Sequence, residues 1–559
     1  MNILGINIGH DSGASLLHNG KIIAVNEERL SRIKMHHGFP YRSIEEVLSI
    51  AGLQAKDIHL ICVEGKSIMP QHDIGFDDKT SDWKKKFVSN FGLENFFLGT
   101  ETGLSMARTL LKPQVAKIKN GIEKYIHEKK FNCPVEYADH HFCHATGAYY
   151  TQKHDSGIAI TLDASGEGYC SRVYVCKNNE MRLVHSVLCY HSPAYYYAYV
   201  TKILGFKPLR HEGKITGLAA YGKSDKAKNV FEKFIYYDKN KSSFINKGGY
   251  HLKAMALIEK ELKVFSKEDI AAGIQEHTEK ITCEYVNDMI EKFAGNKPAN
   301  IFLSGGLFAN VKVNQQILEQ KNVKDIYIFP NMGDGGLSLG AALAHRKEKI
   351  VLENVYFGRN FSDSDILIGL QKHSVNFRKS ENISLDVAKL LAENKVVVRF
   401  NGAMEYGPRA LGNRSIIYSA KDKSVNTWLN QRLNRTEFMP FAPFVRDVDF
   451  KEYFQIKEEN ITPFKFMTIT CNVTEKCKTE APAITHIDGT ARPQIIFRDQ
   501  NPTYYDILTE YKKLTGIGVL VNTSFNMHEE PIINTPKEAI ETFKSGGLDV
   551  LAIGNFIVQ

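Results

Sequence analysis

Residues 158–168 read Ile158-Ala159-Ile160-Thr161-Leu162-Asp163-Ala164-Ser165-Gly166-Glu167-Gly168. An apolar run of this length has the look of a buried strand, and it opens into an aspartate and a glycine-rich turn. About 150 residues earlier the chain does the same thing. Residues 2–8 are apolar and strand-like, and they meet Gly9-His10-Asp11-Ser12-Gly13. A second strand over 14–17, the hairpin pair Asn19-Gly20 and a third strand over 21–26 follow. A strand, a Gly/Ser/Asp turn and a returning strand present backbone N–H groups and a carboxylate to a phosphate and its metal. The same letters also suit a plain tight hairpin.

A third element adds to the pattern. Ile301-Phe302-Leu303-Ser304-Gly305-Gly306 is a strand ending in Gly-Gly, with Asn310 soon after. Backbone there can approach a nucleotide closely, and helix N–H groups point outward. Strand–Asp–Gly turns in two successive halves predict a duplicated actin- or sugar-kinase-type ATPase fold. The spacing of Ile270, Ile274, Ile281, Tyr285 and Met289 predicts a scaffold helix over 267–293, with Ser266 and Asp269 as a capping box. Between these landmarks, residues 210–222 set His211, Glu212 and Lys214 among glycines and read as a site loop.

Asp139-His140-His141-Phe142-Cys143-His144-Ala145 holds three histidines in five residues. His140 and His144 are i and i+4, on one helix face and about 5–6 Å apart at Cβ. That spacing offers two imidazoles to one divalent metal. A helix end using histidines as caps or core filler would carry the same residues. The candidate third ligand is Asp334, in Pro330-Asn331-Met332-Gly333-Asp334-Gly335-Gly336, a turn leading into a small-residue helix over 338–344. His141 falls on another side, behind the pair or toward a substrate.

At 559 residues the chain exceeds one ordinary core, and with 43% hydrophobic and 24% charged residues it is globular. A net charge of +8 is mild for this length, and local phosphate sites explain it as well as nucleic acid does. The run Lys84-Lys85-Lys86 reads as a solvated face. Nine cysteines without CxxC spacing read as reduced thiols, so a cytoplasmic location is expected. No signal-peptide pattern precedes the first strand and no apolar run reaches ~18 residues, so no membrane span is expected.

Periodicity lapses over 347–365, which sets the expected boundary between a domain of residues 1–350 and one of residues 351–559. A helix over 385–393 and a strand over 396–400 lead to Asn401-Gly402-Ala403-Met404-Glu405-Tyr406-Gly407-Pro408-Arg409-Ala410-Leu411-Gly412-Asn413-Arg414-Ser415. Glycines and proline shape this loop, and its two arginines suit phosphate, whose oxygens match a planar fork of donors. Further polar clusters follow at Arg435 before Pro440-Phe441-Ala442-Pro443, at residues 486–492, and at Asn522-Thr523-Ser524-Phe525-Asn526 after a strand over 518–521. Any one is an ordinary turn; together they argue for a polyanion pocket.

Taken together, these phrases resemble the O-carbamoyltransferase family of nodulation protein U, cephalosporin carbamoyltransferase and tobramycin carbamoyltransferase. The resemblance runs through nearly the whole chain in order. Its most specific stretches in combination are residues 407–415, 440–443, 486–494 and 522–526. It implies an α/β chain: a duplicated actin-like domain akin to TsaD-type tRNA-modifying enzymes over 1–350, then a YrdC-like domain over 351–559. It implies a divalent metal, iron, on His140, His144 and Asp334. Adenylate would lie on Asp163, Gly166, Lys214, Gly305, Gly306 and Asn310. Carbamoyl phosphate and ATP with magnesium would bind Arg409, Asn413, Arg414, Ser415, Arg435, His486, Arg492, Asn522, Ser524 and Asn526. One departure is Met439, where some members carry an arginine, which shifts weight onto Arg435. The implied reaction forms carbamoyl adenylate and passes its carbamoyl group to an acceptor hydroxyl, with His10 or Asp11 as base. Neither nucleic acid nor membrane is an expected partner, and a homodimer is compatible with the resemblance.

Three rival readings fit the sequence less well. A tRNA threonylcarbamoyl-type modification enzyme predicts a basic stripe, but the basic residues are dispersed and balanced by 63 acids. A small-molecule kinase leaves the arginine-bearing half without a purpose, and a nucleotide-sensing scaffold does not need both the histidine pair and the arginine loop. A sugar, glycan or natural-product hydroxyl fits as acceptor. Residues 27–130, with Glu27-Glu28-Arg29 and residues 34–37, are where its pocket is expected.

Overall fold

The computed structural model describes residues 1–67, 93–295, 297–434 and 438–559. The chain divides into two compact units: residues 1–9, 16–20 and 53–351, and residues 10–15, 21–52 and 352–559. Both are α/β.

Two five-stranded sheets share one strand order. The first runs β3-β2-β1-β4-β5, with β1 (Ile3–Asn7), β2 (Gly13–His18), β3 (Lys21–Asn26), β4 (Leu60–Glu64) and β5 (Val135–Ala138). The second repeats it as β8-β7-β6-β11-β12, from β6 (Ser156–Gly166), β7 (Tyr169–Lys177), β8 (Glu180–Leu188), β11 (Ala299–Ser304) and β12 (Val323–Ile328). A small ribbon, β9 (Ile235–Asp238) with β10 (Ser243–Asn246), intervenes. In both sheets the central strand pairs in parallel with the two that follow, β1 through β4 to β5 and β6 through β11 to β12. The duplication expected from the two aspartate-bearing turns is therefore present in the strand order. Strands β1 and β4 are buried along their whole length, as parallel strands covered on both faces must be.

The scaffold helix spans Lys267–Ala294, and Ser266 caps it by accepting from the Asp269 N–H at 3.1 Å. The reciprocal half of the expected capping box is not made. Asp269 instead accepts from Lys223 N at 2.8 Å and from Lys226 Nζ at 3.1 Å. Residues 210–222 do not form the expected loop either: Glu212–Ala219 is a helix. Ile215 and Leu218 give that segment a buried face, and Glu212 Oε1 accepts from Leu209 N at 2.6 Å, just before the helix starts. The polar letters there hid a short helix in which residues 214–218 are all buried.

The second unit is built on an eight-stranded mixed sheet ordered β13-β22-β21-β14-β15-β20-β16-β19. Its strands are β13 (Phe377–Lys379), β14 (Val397–Phe400), β15 (Arg414–Ser419), β16 (Ala442–Arg446), β19 (Gln494–Ile496), β20 (Val519–Ser524), β21 (Val550–Ile553) and β22 (Phe556–Val558). A two-stranded ribbon of β17 (Cys471–Asn472) and β18 (Thr490–Ala491) flanks it. Ile416, Ile417, Phe444, Val519, Leu520, Leu551 and Ile553 fill its core.

Residues 21–52 are stitched into this unit by charge. The Glu27 carboxylate accepts from Ser43 N at 2.7 Å and Ser43 Oγ at 2.8 Å, holding the start of the helix Tyr41–Ala51. Arg29 Nη2 donates to Gly407 O at 2.7 Å, and Arg32 donates to the carbonyls of Pro531 and Ile532, each at 2.8 Å. Arg359 grips Glu46 at 2.7 and 2.8 Å. Glu27 and Arg29, expected near an acceptor pocket, serve here as structural ties.

Candidate metal centre and anion site

In the first unit the helix His140–Tyr150 starts at Asp139, whose side chain accepts from Phe142 N at 2.9 Å. That cap brings the first histidines into the interior, where His140, His141 and His144 are all buried. His144 Nε2 lies 3.5 Å from Asp334 Oδ1 and 3.4 Å from Asp163 Oδ2. His140 Nε2 lies 3.9 Å from the same Asp334 oxygen. Donor atoms of all four side chains fall within 4.8 Å of one another.

Each ring is aimed by its other nitrogen. His140 Nδ1 meets Glu64 Oε1 at 2.9 Å, and His144 Nδ1 meets Ser304 Oγ at 3.0 Å. Both Nε2 atoms are buried without a hydrogen-bond partner among the described residues. Ligands held about 2.1 Å from one cation are spaced roughly 3.0–3.5 Å apart at octahedral or tetrahedral angles. Two imidazoles and two carboxylates at these separations fit a divalent metal, and oriented second nitrogens are a regular feature of metal-bound histidine. Burial opposes charge on His140, yet the hydrogen bond to Glu64 and the charges of Asp334 and Asp163 push it up to about 10. His144, likewise buried, is raised by Asp163 and Asp334, and Asp163 is held well below the usual carboxylate range by His144. Groups that share protons this strongly exchange them for a cation on binding.

His141 is not part of the cluster. Its Nδ1 meets Thr161 Oγ1 and its Nε2 meets the Tyr169 carbonyl, both at 2.9 Å, and burial pushes it down to about 3. It is a neutral structural ring. Asp163, expected on the adenylate, instead completes the histidine cluster, while Gly306 N donates to its Oδ2 at 3.0 Å. Gly166 makes room for the His140 ring. Gly305 sits at φ +112°, where an added Cβ would lie 2.4 Å from the Leu162 carbonyl oxygen. Asn310 caps the helix Val311–Leu318 and exchanges hydrogen bonds with Gln275 at 2.9 and 3.1 Å. Lys214 is buried, its ammonium 5.9 Å from the Phe206 ring. Glu64 and Ser304, which aim the rings, carry no local sequence signal beyond ending strands β4 and β11.

In the second unit, His10 Nδ1 and Asp11 Oδ2 lie 3.2 Å apart in a turn where Asp11 takes φ +52°. The strand pair β15–β20 sets Ser415 opposite Ser524 and Ile417 opposite Asn522. Asn522 Nδ2 donates to Ala410 O at 3.0 Å, which draws the 401–413 loop over this pair. Ser415 Oγ accepts from Gly412 N at 3.0 Å, and Asn413 Nδ2 donates to Ala403 O at 2.8 Å. Arg414 is fully buried, its guanidinium 3.7 Å from the centre of the Phe400 ring. Nη1 donates to the carbonyls of Asn401 and Asn413, but Nε and Nη2 have no hydrogen-bond partner among the described residues.

Burial lowers Arg414 and Arg399 to about 10, leaving both charged at neutral pH. Both feel the charge of one buried carboxylate, Glu405, whereas the buried Arg29 answers first to Glu28 and then to Glu405. Buried charge left over in this way calls for an anion. Arg409 and Arg492 are half-buried. His486 is buried with Nδ1 3.2 Å from Asp488, and Asn526 Nδ2 donates to Met527 O and Glu530 O at 2.9 and 2.8 Å. Arg435 and residues 84–86 lie outside the described residues. Glu405 and Arg399 were missed from sequence, since neither stands out from the loop and strand that carry them.

Comparison with known proteins covers both units. Residues 2–343 match the family described as carbamoyltransferase N-terminus, and residues 388–559 match carbamoyltransferase C-terminus. An uncharacterized protein of Synechocystis is 30% identical over all of this chain and 96% of its own length. Another, from Methanocaldococcus jannaschii, is 29% identical over 98% of each chain. Nodulation protein NolNO of Sinorhizobium fredii is 28% identical over 98% of this chain and 79% of its own. Among solved structures, full-length HypF in its phosphate- and nucleotide-bound form aligns over 62% of this chain and 46% of its own, at 13% identity and a TM-score of 0.32. With both terminal regions matched, the chain belongs to the carbamoyltransferase family and is a carbamoyltransferase.

Proposed function

We propose that the chain is an ATP-dependent O-carbamoyltransferase acting through carbamoyl adenylate, with adenylate formed by residues 351–559 and consumed by residues 1–350. The observation that supports this is a pair of chemically different clusters: His140/His144/Asp163/Asp334 in one unit and, in the other, an edge of Arg414 that is buried and unpartnered among the described residues. Carbamoyl phosphate first yields its phosphate to water, leaving carbamate. A carbamate oxygen then attacks the α-phosphorus of ATP, and the bond to the β-phosphate oxygen breaks, releasing pyrophosphate. Arg414, with Arg409 and Arg492, holds the polyanions and stabilises charge gathering on the leaving groups. In the transfer step an acceptor hydroxyl forms a bond to the carbamoyl carbon, the bond to the adenylate oxygen breaks, and AMP leaves with the electron pair. The hydroxyl proton passes to a general base.

His140, His144, Asp163 and Asp334 would hold a divalent cation, iron in this reading, which as a Lewis acid supplies polarisation of the carbamoyl carbonyl. Gly305 and Gly306 bring backbone close to the nucleotide, and Lys214 neutralises its phosphate. The acceptor is the hydroxyl of a sugar, glycan or natural product. The test is phosphorus NMR of the protein with ATP, magnesium and carbamoyl phosphate. Pyrophosphate and phosphate should accumulate together. Accumulation of ADP in place of pyrophosphate would contradict the adenylate route.

A further inference from the structure

We propose that Glu405 Oε2 accepts from the NH2 of the carbamoyl group and so distinguishes carbamoyl phosphate from other acyl phosphates, an assignment that rests on the anion-site reading of residues 351–559. Glu405 lies in the loop between β14 and β15 and is 3% exposed. Its two oxygens differ. Oε1 is fully engaged, accepting from the N–H of Leu411 at 3.0 Å, Asn413 at 2.8 Å and Arg414 at 3.1 Å. Oε2 is buried with no hydrogen-bond partner among the described residues. A desolvated carboxylate oxygen with spare lone pairs destabilises the fold unless a donor reaches it. The buried arginines feel this charge without supplying that hydrogen bond.

Arg414, whose backbone N–H touches Oε1, has the complementary need. Its Nε and Nη2 form the side-by-side edge that grips two oxygens of one anion, and both are buried and unpartnered among the described residues. Asn522 Oδ1 is a second buried acceptor in the same condition, on the side chain whose Nδ2 holds Ala410 O at 3.0 Å. Loop 401–413 and strands β15 and β20 thus supply a two-pronged cationic edge and two spare N–H acceptors. Inorganic phosphate satisfies the edge alone. Acetyl phosphate does no more, because its methyl group has no proton to donate. Carbamoyl phosphate satisfies both, with phosphate oxygens at one end and an NH2 bearing two hydrogens at the other. A site built to bond an N–H rejects the analogue lacking it far more strongly than an apolar pocket rejects an extra methylene.

Two stable phosphonates isolate this contrast. Phosphonoacetamide keeps the amide NH2, and acetonylphosphonate replaces it with methyl. Both are titrated calorimetrically into the wild type and into Glu405→Gln. Glutamine retains a carbonyl oxygen for the three backbone N–H groups but places its own NH2 where Oε2 accepted. The wild type should bind the amide about 10- to 100-fold tighter than the ketone. Glu405→Gln should bind both equally, at the wild type's ketone affinity, with an unchanged circular dichroism spectrum. Amide preference kept by the folded variant overturns the assignment. So does equal binding of both compounds by the wild type, a result independent of whether the variant folds. A wild type that binds neither phosphonate sinks the anion-site reading and this assignment with it. Arg414→Lys marks the difference, since it should weaken both compounds alike and leave their ratio intact.

Discussion

A methyl group on Gly166 would lie 2.0 Å from Cδ2 of His140, so the glycine ending β6 and the first histidine of the pair fix each other's place. Gly166 is not among the positive-φ glycines, and alanine there meets no backbone strain. The cost falls on the ring, which has to swing and give up its 2.9 Å contact with Glu64. Gly166→Ala should therefore fold and lose metal affinity by about 10- to 100-fold, the effect of disturbing a ligand's supporting bond. Metal content per chain after dialysis, set beside His144→Ala, checks this. Wild-type metal content in Gly166→Ala would show that the ring has other room.

Glu167 offers a pH test apart from the metal ligands. Burial first, and Asp139 next, push its carboxyl from the ordinary 4.5 up to about 8. An acid that holds its proton more tightly when folded costs stability as pH rises from about 4.5 to 8, and the cost then levels off. Glu167→Gln removes that penalty. The variant should gain on the wild type by a few kcal/mol, to order of magnitude, at pH 9 and by little at pH 4.5. Thermal melts at the two pH values measure this, and parallel curves would contradict it.

Arg29 ties residues 21–52 to the arginine loop through the Gly407 carbonyl and pairs with Glu28 at 3.2 Å. Arg29→Met keeps most of the bulk and leaves that carbonyl and carboxylate without their donor. A loss of about 1.5–3 kcal/mol in urea unfolding is expected, the range for hydrogen bonds to charged groups. Pyrophosphate release should fall with it, because the loop bearing Arg409 and Arg414 loses its brace. Wild-type stability in this variant would show that the tie is redundant.

Local features of this fold were readable from the chain, while most features joining distant segments were not, Asp334 beside the histidine pair being an exception. The i,i+4 spacing of His140 and His144 and the Ser266 cap depend on residues within a turn of one another, and both are found. Asp163 is a different case. Its strand–turn context is plain in the sequence, and the resemblance puts it on the adenylate, but its place beside His144 depends on how β6 lies against a helix 19 residues earlier. Glu64 reaches His140 across 76 residues, and no local pattern marks that. Residues 212–219 misled because charged letters among glycines hid Ile215 and Leu218, whose burial makes a helix. Glu405 was invisible for another reason: the partnering of its two oxygens is a property of the closed loop alone.

The most direct test of the two-site account uses Asp334→Ala and Arg414→Ala, with two readings on each: metal content, and pyrophosphate released from ATP and carbamoyl phosphate. Neither reading requires the acceptor. Asp334→Ala should lose its metal yet release pyrophosphate at the wild-type rate, because its carboxylate belongs to the cluster with His140 and His144. Arg414→Ala should keep its metal and release none. Loss of pyrophosphate release in a folded Asp334→Ala protein would contradict the assignment of adenylate formation to residues 351–559.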